Sequence, residues 1–389
     1  MFDYKETADR LIRQEVESGA AAGACALVFH KDEEIYFGAY GYADKEEGRP
    51  MQRDTICRLY SLTKPVTAAA IMILAERGDL DLRDPVSLYL PEFAGQSVWT
   101  DSGSLVPACR DNTIWDMLCM VSGVTYPDPN TEPGRRMQNV FDELIGRRKT
   151  GERVDTREYM RRIAGVPLSF QPGTKWKYGL SADILGGVAE AVSGKRYGEF
   201  LKEELFEPLG MKDTGFYVPQ AKRERFAQIY EWKKEAGALV PFTGCSLGEY
   251  YGEDVAFESG GAGLVSTIDD YGKFARMMMC GGTLGGQRIL GQKTVEFMTL
   301  DRLSPQQKVD YNWDSSQGYG YGCLMRVLTD TGRHGCLGSV GEFGWDGWPG
   351  TYAAIDPKEG VTVLYFIQRC GAGTTQTARK IKMATYGAM

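Results

Sequence analysis

The sequence predicts an α/β (α+β) fold, with a layer of strands built from both chain ends and a mainly helical segment inserted between them. Three observations carry this expectation. Strand-like runs occur near the N-terminus and again near the C-terminus, while residues 79 to 215 have a helical texture. The chain has 389 residues, enough for two domains at roughly 100–200 residues each. Hydrophobic residues make up 43% and charged residues 25%, which supplies material for a core and argues against wholesale disorder.

The elements follow in order. Residues 3–18 read as an amphipathic helix with Leu11, Ile12 and Val16 on one side. Two short strands, Ala24–His30 and Glu34–Tyr40, are separated by Lys-Asp-Glu and predict a hairpin. A polar connection leads to the clearest helix of the chain, Leu62 to Arg77, with Pro65 in its first turn and Gly78 just past its end. Helices are then expected at Ile114–Val121, Arg157–Ala164, Ala182–Val192 and Tyr197–Leu205. Between them Pro127–Asp155 is polar, without a period, either a lid over a cleft or a distant flap. Beyond Gly215 the chain turns glycine-rich, with a helix at Asp269–Cys280. Strand-like runs at Gly322–Leu328, Thr351–Ile355 and Val361–Gln368 precede a terminal helix over Thr374–Met389. The expected division is a sheet domain from residues 1–80 and 216–389, and a mainly helical domain from 81–215.

Composition narrows the function. The net charge of −7 leaves no basic stripe, so no nucleic-acid partner is expected. The apolar run Ala68–Ala75 is far short of the ~20 residues that span a bilayer, and the N-terminus lacks the apolar core of a signal peptide. No membrane association is expected. Nine cysteines without a CxxC pair suggest free thiols in a reducing cytoplasm, neither a disulfide frame nor a zinc site. Two histidines, His30 and His334, and no EF-hand spacing of carboxylates leave little for a metal. No metal or cofactor is therefore expected. Oligomeric state is not legible.

Three short motifs carry candidate chemistry. In Ser61-Leu62-Thr63-Lys64 the serine stands at the start of the clearest helix, and residues three apart share a helix face. Lys64 would serve as a base one turn from the Ser61 hydroxyl, and the free N–H of Ser61 would stabilise an oxyanion. The alternative is a serine that caps the helix beside a solvated lysine. In Lys177-Tyr178-Gly179-Leu180-Ser181, Tyr178 would act as acid or base if a neighbouring ammonium lowers its pKa, or would simply pack a helix start. In Gly341 to Thr351, glycines alternate with Trp345 and Trp348, suggesting close backbone approach beside an apolar pocket, or a tight loop with two core indoles.

Together these motifs resemble the serine β-lactamase and penicillin-binding-protein superfamily, in its esterase branch, the family VIII carboxylesterases. The resemblance covers roughly residues 5–370. It is supported by Leu80 to Val86, Thr113 to Leu118 with Ser122-Gly123, Pro172-Gly173-Thr174, Glu207 to Met211 and Gly260 to Thr267. It implies a β-lactamase/transpeptidase-like fold, an antiparallel sheet flanked by helices plus an inserted helical domain, with the site in the cleft between them. Ser61 would be the acylated nucleophile, Lys64 and Tyr178 would share the role of base, and the N–H groups of Ser61 and Trp348 would form the oxyanion hole. Tyr126, Leu180, Trp313, Trp345, Asp346, Gly347 and Tyr352 would shape the substrate pocket.

Two departures bear on specificity. Penicillin-recognising relatives carry Tyr-x-Asn where this chain has Tyr178-Gly179-Leu180, so the amide that contacts a β-lactam side chain is absent. They carry Lys-Thr-Gly or His-x-Gly where this chain has Trp345-Asp346-Gly347, so the cation that holds a substrate carboxylate is absent, and Asp346 would repel an anion if it faced the cleft. Both point to small neutral esters as substrates. An acyltransferase on the same fold is the main alternative, followed by weak β-lactamase or D-amino-acid peptidase activity. A non-catalytic binding protein is disfavoured by the intact Ser61, Lys64 and Tyr178. A rival nucleophile is Ser246 in Gly244-Cys245-Ser246-Leu247-Gly248, a literal G-x-S-x-G. The strand before it is short and contains Pro241, the residues after it form a poor helix, and only His334 lies downstream.

Overall fold

The structure, a computed structural model, describes residues 3–244, 251–253 and 255–389. Along the chain, helix α1 (Tyr4–Glu17) leads into strands β1 (Gly23–His30), β2 (Glu33–Asp44) and the short β3 (Arg49–Pro50). Lys31 and Asp32 both have positive φ, the geometry that a two-residue hairpin requires, and let β2 run longer than the sequence suggests. Helices α2 (Thr63–Arg77), α3 (Ile114–Leu118), α4 (Glu132–Lys149), α5 (Thr156–Ala164), α6 (Ser181–Ser193) and α7 (Tyr197–Leu201) follow. After α8 (Ile268–Met279) the chain returns to strands: β4 (Tyr319–Tyr321), β5 (Arg326–Leu328), β6 (Phe343–Asp346), β7 (Tyr352–Asp356) and β8 (Val361–Ile367). Helix α9 (Gln376–Gly387) ends it.

The two chain ends form one eight-stranded sheet in the order β4-β5-β6-β7-β8-β1-β2-β3, with every neighbouring pair antiparallel. Side chains alternate across a strand, so each face buries its own set. Ala24, Ala26, Val28, Val363 and Tyr365 meet Leu11 and Ile12 of α1 and Ala378 and Ile381 of α9. Cys25, Leu27, Leu364 and Phe366 face the other way into the main core, which continues without a break through α2 and the helices of the insertion. Helix α2 is buried from Thr63 to Leu74 and forms the axis of that core. It ends as expected, with Gly78 in the left-handed region (φ 76°). Among the described residues no helix is long and apolar enough to cross a membrane.

The structure corrects three expectations. Residues 127–155 contain the 18-residue helix α4, capped by Thr131. Its apolar positions Met137, Val140, Phe141, Leu144 and Ile145 do follow the helical period, but arginines and glutamates dilute the signal, and Glu132 pairs with Arg135 and Arg136 along the exposed face. The run Gly322–Leu328 is a strand, β5, only from Arg326 on; its first four residues are a buried turn from β4: Leu324 has φ 56°, and Cys323, Leu324 and Met325 are fully buried. The turn docks by N–H bonds from Cys323 to the Met298 carbonyl and from Leu324 to the Leu118 carbonyl. Its apolar residues fill a core instead of a strand. Helix Tyr197–Leu205 passes at Lys202 into a π-turn that reaches Phe206.

Candidate active site

Ser61 lies in a 3₁₀ turn, Tyr60–Leu62, that runs directly into α2. The residue before it, Tyr60, is held at φ 48°, a strained conformation for a non-glycine residue. The N-cap of α2 is Leu62 without a side-chain cap bond, so Ser61 is not spent on capping. Its Oγ instead accepts from Lys64 Nζ at 3.0 Å. Lys64 is not a solvated first-turn lysine: it is 0% exposed. Its Nζ has two further partners, the Gly261 carbonyl at 2.8 Å and the Tyr126 hydroxyl at 3.2 Å. Burial disfavours the ammonium and brings the Lys64 pKa down to about 7, against the opposing pull of Asp183 and Asp346.

Tyr178 stands just before α6, with its ring face 4.6 Å from Lys64 Nζ. Its hydroxyl accepts from Trp345 Nε1 at 3.2 Å. The expected lowering of its pKa is not found. Burial pushes the phenol up and outweighs the hydrogen bonds with Ser61 and Trp345 that ease its ionisation. Around Tyr178 the structure gathers rings from distant parts of the chain: Tyr126 at 5.6 Å, Trp313 at 5.3 Å, Trp345 at 5.7 Å and Trp176 at 6.3 Å between centroids. Trp313 is 40% exposed, so it presents an indole to the open side of this cluster.

The third motif is tied to the Ser61 turn through backbone. Thr351 Oγ1 donates to the Leu59 carbonyl at 2.9 Å, and the Gly347 N–H donates to the Thr351 carbonyl at 2.7 Å. A Cβ on Gly347 would lie 2.2 Å from both the Leu59 carbonyl oxygen and Thr351 Oγ1, so only glycine lets this strand end approach so closely. The next N–H, that of Trp348, has no hydrogen-bond partner among the described residues. The Trp348 indole packs on Tyr60 at 5.4 Å and on Phe242 at 5.6 Å and is 41% exposed.

Three expected pocket residues lie elsewhere. Tyr352 is buried in the core on the α1 and α9 side of the sheet, because it faces opposite to Trp345 across the pleat. Asp346 sits opposite Tyr352 in register, and its carboxylate accepts from Thr374 Oγ1 with Arg326 Nη1 at 3.8 Å. Leu180, 2% exposed, is core packing at the N-terminus of α6. Sequence reasoning missed Asp183 and Gly261. Asp183 is buried, accepts from Ser259 Oγ at 2.5 Å and from the Gly261 N–H at 3.3 Å, and its carboxyl is pushed up by that burial. Gly261 has no room for a Cβ, which would meet the Asp183 carboxylate at 2.5 Å. The only signal was the glycine density of residues 260–263, which leads into α8, capped by Thr267.

The rival motif Cys245-Ser246 lies outside the described residues. Its required partner His334 is occupied elsewhere, with Lys382 Nζ at 3.0 Å and the Tyr319 hydroxyl at 3.3 Å. Among the described residues no cluster of metal-ligating side chains occurs, and Cys25, Cys57, Cys119 and Cys323 are buried free thiols.

Known proteins resemble this chain in sequence and fold. The Beta-lactamase family matches residues 8–386. Esterase EstB of Burkholderia gladioli is 31% identical over 373 residues, which span 92% of this chain and 88% of EstB. The solved structure of EstCE1, described as a hydrolase with promiscuous acyltransferase activity, superposes with a TM-score of 0.81 at 24% identity, covering 98% of each chain. A family VIII carboxylesterase superposes with a TM-score of 0.73 at 21% identity over 100% of this chain and 98% of that one. The two superpositions establish a shared fold. The family match, running nearly end to end and joined by an esterase of similar length, makes this chain a member of the Beta-lactamase family, on its esterase branch.

Proposed function

We propose that the protein is a serine hydrolase that cleaves small neutral carboxylic esters through an acyl-enzyme on Ser61. The observation that carries this reading is a fully buried lysine with Nζ 3.0 Å from the serine hydroxyl and a pKa near 7. A large fraction of Lys64 is then a neutral amine at neutral pH, which is what a general base requires. Ser61 Oγ attacks the ester carbonyl as Lys64 takes its proton. The tetrahedral oxyanion is held by the N–H groups of Ser61 and Trp348. The proton returns through Lys64 and the protonated Tyr178 hydroxyl to the departing alcohol. Water, activated the same way, then releases the acid.

The aromatic surroundings support neutral, apolar substrates. Trp313, Trp345 and Trp348 offer rings, and the buried Arg326 is engaged by Asp346 and the Ala353 carbonyl. Gly347 serves by letting the strand close on the Ser61 turn. This reading puts the cleft between a sheet unit of residues 1–80 and 216–389 and a helical unit of 81–215, and buried free thiols such as Cys25 and Cys57 fit a cytoplasmic setting. Transfer of the acyl group to an alcohol instead of water is the second reading, favoured by the acyltransferase activity described for EstCE1.

The test is intact-protein mass and colour release with a short p-nitrophenyl ester and, separately, a chromogenic cephalosporin. Wild type is expected to turn over the ester rapidly and the cephalosporin poorly, and Ser61→Ala to lose both turnover and acylation while staying folded. Undiminished turnover in Ser61→Ala would overturn the assignment.

A further inference from the structure

We propose that Tyr126 is a positioning residue for this reaction, its hydroxyl serving as the third acceptor of the ammonium that forms when Lys64 deprotonates Ser61. The proposal rests on Ser61 and Lys64 acting as nucleophile and base. An ammonium has three N–H donors and no acceptor capacity. Around Lys64 Nζ the structure provides three oxygens: Ser61 Oγ at 3.0 Å, the Gly261 carbonyl at 2.8 Å and the Tyr126 hydroxyl at 3.2 Å. These come from the 3₁₀ turn before α2, from the loop before α8 and from the segment before α4. Water is poorly placed to replace any of them, because the lysine has no exposed surface.

The other groups facing Nζ do not supply that bond. Tyr178 presents its ring face, and its hydroxyl is engaged by Trp345 Nε1. Asp183 of α6 and Asp346 of β6 act on Lys64 through their charge, while their oxygens are held by Ser259 and Gly261, and by Thr374. Leu180, where an amide would otherwise stand, is a buried hydrocarbon. Without the Tyr126 hydroxyl, one N–H of a buried ammonium would go unsatisfied at the moment the proton arrives. A hydrogen bond to an ionised donor is stronger than one to a neutral donor, so Tyr126 favours the protonated lysine over the free amine. It makes Lys64 a stronger base than its burial alone would allow.

The experiment is the pH profile of kcat/KM for a p-nitrophenyl ester, and of the rate of phosphonate labelling, in wild type and Tyr126→Phe. Phenylalanine keeps the ring that packs on Tyr178 and removes only the oxygen. The ascending limb is expected to move about one unit toward lower pH, with kcat down about tenfold and KM little changed, since one unit of pKa is a tenfold change in equilibrium. A limb that stays at its wild-type position, or a loss confined to KM, overturns the proposal and leaves Tyr126 as a pocket wall. If Tyr126→Phe does not accumulate as folded protein, 3,5-difluorotyrosine placed at position 126 supplies the test. Its oxygen is a poorer acceptor, so a smaller shift in the same direction is expected, and no shift overturns the proposal. Failure of the underlying reading is distinguishable, because Ser61→Ala would then retain turnover whatever Tyr126 does.

Discussion

At the scale of single residues, the proposed chemistry turns on Lys64. Its folded pKa of about 7 lies below the ordinary value of 10.5, and burial is the main cause. The unfolded chain therefore binds more protons than the folded one between those two values, so stability rises with pH across that window. The cost of burying Lys64 is complete below about pH 7 and is gone above 10.5. Lys64→Met is expected to lose at least about 10³-fold in kcat/KM, as members of a coupled catalytic unit do. It should also melt at a higher temperature than wild type near pH 7, read by calorimetry, because the desolvation cost is removed. In wild type, the kcat/KM profile should rise with an apparent pKa near 7. A profile still rising toward pH 10 would contradict the assigned base. Ser61 and Lys64 were legible in the sequence because their meeting is local, one helical turn apart. Asp183, Gly261 and the true position of Tyr126 were not, since each reaches Lys64 only through tertiary packing of segments 60 to 200 residues away.

At the scale of elements, the end of β6 is the critical joint. It closes on Leu59, two residues before Ser61, only because Gly347 lacks a side chain. Gly347→Ala puts a methyl group 2.2 Å from the Leu59 carbonyl oxygen and Thr351 Oγ1, so one backbone must retreat. Loss of an oxyanion donor costs about 10²–10³-fold in kcat, and a loss near the lower end of that range is expected with an unchanged circular dichroism spectrum. Unaltered kcat would argue that Trp348 is not the donor. The same scale explains where element prediction failed. Helix α4 carries its apolar stripe among ion-paired charges, and the turn at residues 322–325 is apolar because it is buried, so polarity misread both. Periodicity placed α2 and α6 well because their buried faces are broad and uninterrupted.

At the scale of the whole molecule, the fold closes when the C-terminal helix docks on a sheet whose strands come from both ends of the chain. Lys382 of α9 and Glu342 before β6 form an ion pair at 2.6 Å, each side chain about 1% exposed, and Glu342 also accepts from the Tyr319 hydroxyl at 2.9 Å. Removing one partner strands a buried charge. Lys382→Met is expected to lose about 3–5 kcal/mol of unfolding free energy in denaturant titration, with kcat/KM per folded molecule unchanged because the pair lies behind the sheet. A loss under about 1 kcal/mol would mean that Glu342 finds another partner. By itself the sequence determined the layered architecture and the central helix, because each is encoded in local period, and it singled out Ser61, Lys64 and Tyr178 as candidates through short motifs and their resemblance to a known family. Only the tertiary structure decided which rings surround Tyr178, that Asp346 bonds Thr374 while Tyr352 joins the core beside α1 and α9, and that Lys64 loses its solvent. Those depend on which face of a strand a residue takes and on how completely distant segments exclude water, and neither is a property of any short stretch of chain.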